Sequence, residues 1–70
     1  SLAADSQRPE MVAIGGNGHI ELLVQAPLAV TIHNAAGLLV KESRFTPGVH
    51  FVAPLPSGFY LVNGQKVIVR

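Results

Sequence analysis

The sequence predicts an all-β protein, a small immunoglobulin-like β-sandwich of about seven short antiparallel strands. Three observations lead there. Turn signals recur roughly every 8 to 12 residues. The segments between them alternate with period two, and none keeps the i, i+3, i+4, i+7 spacing of an amphipathic helix over three turns. A chain of 70 residues holds one domain. That length excludes a two-domain enzyme, a doubly wound α/β sheet with a cofactor crevice and a closed (β/α) barrel.

The opening residue is Ser1 and not Met, which suggests a fragment or a processed product. Residues 1–9 (SLAADSQRP) are polar, contain Pro9 and show no apolar period. Residues 1–10 are therefore expected to be a linker or disordered segment before a single domain over residues 11–70. A first strand is expected at 10–15, stopped by Gly15-Gly16-Asn17-Gly18. The second, at 19–26, sets Ile20, Leu22 and Val24 against His19, Glu21, Leu23 and Gln25, and ends at Ala26-Pro27. The third, at 28–34, sets Val30 and Ile32 against Thr31 and His33. Asn34-Ala35-Ala36-Gly37 then turns the chain into a fourth at 38–44.

Pro47-Gly48 suits the centre of a type II turn, with Pro fixing φ and Gly taking the positive φ that follows. In the fifth strand, at 49–53, Val49 and Phe51 oppose His50. Pro54-Leu55-Pro56-Ser57-Gly58 leads to a sixth at 58–63, where Phe59 and Leu61 oppose Tyr60 and Val62. A seventh, at 65–70, sets Val67 and Val69 against Lys66, Ile68 and Arg70. Asn17-Gly18 and Asn63-Gly64 are the dipeptides best suited to two-residue type I′ turns, because both central residues need positive φ. Hairpins are expected at these two points and at Pro47-Gly48. Phe51 and Phe59 are expected in the core, since large aromatics dominate small cores. Tyr60 is expected between the sheet and a loop, its hydroxyl bonded to backbone. Leu23, Leu39 and Ile68 fall on outer faces; on one sheet, the three would form a docking patch.

Composition excludes several functions. Charged residues are 13% of the chain, hydrophobic ones 49%, and the net charge is +1. No cluster of Lys and Arg is available for nucleic acid or an anionic membrane surface. Gln25, Pro27, Thr31 and His33 interrupt the apolar stretches before they reach the ~20 residues of a membrane span. No direct membrane insertion is expected, and residues 1–10 do not read as a signal peptide, having no basic region before a long apolar stretch. Without cysteine the chain has neither a disulfide framework nor a thiolate metal site. So few charges beside so many apolar groups leave surface for a neighbour to cover.

The titratable residues do not assemble into a catalytic pattern. None of His19, His33 and His50 stands in an HExxH arrangement. His19 and Glu21 share a strand face and His50 can join them from an adjacent strand, but without ligand spacing. Ser1, Ser6, Ser43 and Ser57 lack a nucleophile-elbow context. Gly15-Gly16-Asn17-Gly18 is not followed by Lys-Ser/Thr or by a helix, so it is no phosphate loop. No catalytic residue, metal or cofactor is expected.

Three blocks carry a family resemblance. Val30-Thr31-Ile32-His33-Asn34-Ala35-Ala36-Gly37-Leu38-Leu39-Val40 resembles a strand–turn–strand reading V-x-I-Y-N-x-x-G-x-x-V, with His33 where Tyr or Phe is usual. Leu55-Pro56-Ser57-Gly58-Phe59-Tyr60-Leu61-Val62 is similar to L-P-x-G-x-Y-x-V, and Lys66-Val67-Ile68-Val69-Arg70 to a closing basic–apolar strand. Together, over residues 11–70, they resemble the C-terminal sorting domains of the type IX (Por) secretion system and their relatives in Bacteroidetes surface proteins. The resemblance implies an immunoglobulin-like sandwich at the end of a secreted or cell-surface protein that crosses periplasm and outer membrane. It implies a non-enzymatic sorting or anchoring role, with the secretion translocon as partner. The signal-bearing positions would be Gly58, Tyr60, Lys66, Val67, Val69 and Arg70. An accessory sandwich that packs on a neighbouring catalytic or ligand-binding domain is the other expectation. Either role leaves room for a homo-oligomer formed through an exposed strand edge.

Overall fold

A computed structural model describes residues 10–70; the expected linker lies outside the described residues except for Glu10. Seven strands run in order: β1 (Met11–Gly15), β2 (Ile20–Val24), β3 (Leu28–Asn34), β4 (Leu39–Phe45), β5 (Gly48–Val52), β6 (Gly58–Val62) and β7 (Gln65–Val69). Each lies within a residue or two of its expected place. All pairings are antiparallel, in a three-stranded sheet of order β1-β2-β5 and a four-stranded sheet of order β4-β3-β6-β7. The protein is a small all-β sandwich, with no helix among the described residues.

Local turn chemistry sets most of this order. At the β3–β4 connection the Asn34 side-chain oxygen accepts from the Ala36 and Leu38 amides at 2.9 and 3.0 Å. Gly37 supplies the positive φ of 86° that closes the turn. This turn folds β4 back along β3 as a hairpin. At the β6–β7 turn Asn63 and Gly64 both take positive φ, 49° and 84°, as a type I′ turn requires. Asn63 also reaches across to β3: its side-chain oxygen accepts from the Thr31 amide at 2.9 Å, and its nitrogen donates to the Ala29 carbonyl at 3.2 Å.

Two expected hairpins differ. Of Asn17 and Gly18, only Gly18 has positive φ, 75°, so this is not a type I′ turn. Gly15 pairs with Ile20 and the Gly16 amide donates to the His19 carbonyl, which makes a wider loop over residues 16–19. That loop still joins β1 and β2 as a hairpin, whereas Pro47-Gly48 is no hairpin: it carries the chain from β4 in one sheet to β5 in the other. β4 pairs with β3 on one side and is the edge strand of its sheet, and β5 pairs only with β2. In the constant-type immunoglobulin arrangement the fourth strand lies beside the fifth. Here it has switched sheets.

The core follows the alternation in β2, β3 and β7. Ile20, Leu22, Val30, Ile32, Val67 and Val69 are buried, together with Tyr60, Val62, Val52 and Leu55. Phe51 and Phe59 correct the expectation that they are core. Ile20 and Leu22 pair with Val52 and His50, so β5 turns His50 inward and Phe51 outward, where it is 62% exposed. In β6 both faces are apolar. The pairings of Tyr60 with Val67 and of Val62 with Ile32 turn Tyr60 and Val62 inward and leave Phe59 half-buried on the outer face. Alternation fixes which residues share a face, but only the cross-strand partners fix which face is covered.

Along the inner face of β1 the side chains shrink from Met11 to Ala13 to Gly15. At that end β1 closes on β7, and a Cβ on Gly15 would collide with the Ile68 carbonyl. The missing side chain lets the two sheets meet at this corner.

Candidate interaction surfaces

The expected recognition residues divide between core and surface. Val67 and Val69 are buried, as is Tyr60, whose hydroxyl donates to the Pro56 carbonyl at 2.6 Å. This is the expected backbone bond, and it has the form of the tyrosine corner of immunoglobulin-like sandwiches, where a sixth-strand Tyr ties back to the preceding connection. Gly58 opens β6 with φ of 145°, a conformation that favours glycine. Lys66 and Arg70 are exposed; the Lys66 ammonium lies 4.9 Å from the centroid of the Phe59 ring, a cation–π distance. Only Lys66, Arg70 and the neighbouring Ile68 present side chains from β7 outward.

The outer edge of β7 is partly taken by the chain itself. The Arg70 amide donates to the Gly16 carbonyl and the Gly18 amide to the Arg70 carbonyl, both at 2.9 Å. The Gly18 carbonyl also accepts from the Leu55 amide at 2.8 Å. In an antiparallel strand, alternate residues turn their backbone groups to opposite sides. Lys66, Ile68 and Arg70 therefore face the outer edge, and of these Arg70 is bonded and the Ile68 carbonyl lies against Gly15. The Gly15-Gly16-Asn17-Gly18 loop thus clamps the final strand. Glycine density was the visible signal for this loop; its partner was not readable.

The other edges differ. β4 carries a bulge at Val40, between the Ile32–Lys41 and His33–Leu39 pairs, and its exposed residues include Lys41, Glu42 and Arg44. Lys41 shares the inward face with Ser43 and Phe45 but stays exposed. A bulge and an inward-pointing charge are both devices that blunt an edge. At β5 no such device is present. The Gln25 amide bonds to Glu10 and the His19 carbonyl to Gly16, so odd residues of β2 face β1 and even ones face β5. Their partners Gly48, His50 and Val52 face back. Among the described residues nothing pairs with the backbone groups of Val49 and Phe51, which lie on the open edge.

Leu23, Leu39 and Ile68 do not form one patch: Leu23 is in the three-stranded sheet, Leu39 and Ile68 at opposite edges of the other. The apolar surface lies elsewhere. On the outer face of β1-β2-β5, the pairings align Val12, Leu23 and Val49 in one row and Ile14, Glu21 and Phe51 in the next. Ile14, Val49 and Phe51 are largely exposed, and His19 borders the patch with its ring 5.5 Å from that of Phe51. His50 points to the opposite face, against Phe45 and the Thr46 carbonyl, so it does not join His19 and Glu21. No cluster of three metal-ligating side chains occurs among the described residues.

Compared with family models, with curated proteins and with solved structures, the chain matches none.

Proposed function

We propose that this domain is a non-enzymatic C-terminal sorting or anchoring module of an exported or cell-surface protein, handled by a secretion translocon. One observation carries the reading: the three blocks that resemble sorting domains assemble into one continuous sheet. Residues 30–40 form the β3–β4 hairpin, residues 55–62 the tyrosine corner and β6, and residues 66–70 the strand that closes the sheet beside β6. Recognition then uses the outward side chains Lys66, Ile68 and Arg70 on a rigid strand, while Tyr60, Val67 and Val69 hold that strand in place. A reporter bearing residues 1–70 at its C-terminus, expressed in a host with the type IX translocon, is expected at the cell surface or in the medium. The K66A/R70A variant, altered only at exposed positions, should export several-fold less. Retention of the unaltered fusion in the periplasm would overturn the reading.

A second reading rests on the outer face of β1-β2-β5, where Val12, Ile14, Leu23, Val49 and Phe51 surround Glu21. A surface of this kind suits packing against a neighbouring domain of the same parent protein. Deleting the module would then lower the parent's solubility while export continues.

A further inference from the structure

We infer that the open edge of β5 receives an extended peptide segment carrying a carboxylate, added as a fourth strand to the three-stranded sheet. The inference goes beyond the sorting role and stands without it. Because β4 has switched sheets, β5 lacks the neighbour that would otherwise cover it. Val49 and Phe51 turn two amides and two carbonyls toward this edge, in register for an incoming strand. Beside the edge lies an open groove of about 260 Å³ between β4, β5 and the following connection, lined by Val40, Lys41, Phe51, Ala53 and Leu55 among others.

Among the described residues, Lys41 is the single charge in that lining. An added strand alternates its side chains between the groove and the outer face. Those entering the groove would meet Val40, Leu55 and the Lys41 ammonium, so apolar residues and one Asp or Glu complement it. Those on the outer face would extend the apolar rows that end at Val49 and Phe51. A second copy of this chain fits less well. Its β5, Gly48-Val49-His50-Phe51-Val52, carries no acid and would set apolar groups and an imidazole against Lys41.

The test is a random heptapeptide phage library panned on the whole chain, followed by titration of the best synthetic peptide. Enriched sequences should alternate apolar residues and contain Asp or Glu. Val49→Pro removes only an outward amide, a change tolerated at such an edge, and should weaken binding at least tenfold. Lys41→Glu, at an exposed position, should shift selection from acidic to basic peptides. No enrichment, undiminished binding to V49P, unchanged charge preference with K41E, or dimerisation through Val49 and Phe51 without peptide would each overturn the inference.

Discussion

Gly15→Ala is expected to cost this domain most or all of its folded state. The new methyl group would enter the space held by the Ile68 carbonyl, and the backbone of a strand paired along β6 cannot rotate that oxygen aside. Ordinary overpacking costs about 1–3 kcal/mol; a collision between two strands belongs at or beyond the upper end. A domain of this size has about 3–10 kcal/mol in total, so the melting temperature should fall by at least about 12 °C. Gly37→Ala is the control. Its position has φ of 86° but nothing within 4 Å of the added carbon, so only the left-handed strain of about 1–2 kcal/mol applies. Equal effects at the two glycines, measured by thermal unfolding, would show that β1 and β7 do not meet as described.

Asn63→Ala should be nearly as damaging, about 2–3 kcal/mol. Asn63 holds φ of 49° in the β6–β7 turn and bonds to both Thr31 and Ala29 of β3. Alanine loses the tolerance for that φ and both bonds, each contributing about 0.5–1.5 kcal/mol. Asn63→Gly keeps the turn and loses only the bonds, so its urea midpoint should lie between those of the native chain and N63A. If N63G and N63A unfold together, the turn conformation contributes nothing and the bridge to β3 carries the whole effect.

These two residues mark how far the sequence could be read. Asn63-Gly64 was legible because one local rule, positive φ at both positions, decides the turn. The bridge from Asn63 to β3 was not, since it depends on which strand lies beside β6. Gly15 stood in a visible turn signal, yet its contact with Ile68 joins residues more than fifty positions apart. Strand positions followed from alternation and turns, which are local. The covered face of β5 and β6 did not, and Phe51 and Phe59 went outward because their partners placed His50, Tyr60 and Val62 inside. Of the recognition positions, the hydroxyl bond of Tyr60 was readable from its place in the alternation between Gly58 and Val62. The clamp of residues 16–18 on Arg70 and the open edge of β5 were not, because both depend on sheet order.

Residue-resolved amide hydrogen exchange on the monomer tests the account most directly, since it reports each strand's neighbours without altering the chain. Val67, Val69 and Arg70 should be protected, and so should His50, while Val49 and Phe51 exchange at rates near those of an unstructured peptide. Fast exchange throughout the final strand, or protection of Val49 and Phe51 to the level of His50, would contradict a sandwich that locks its last strand and leaves its fifth open.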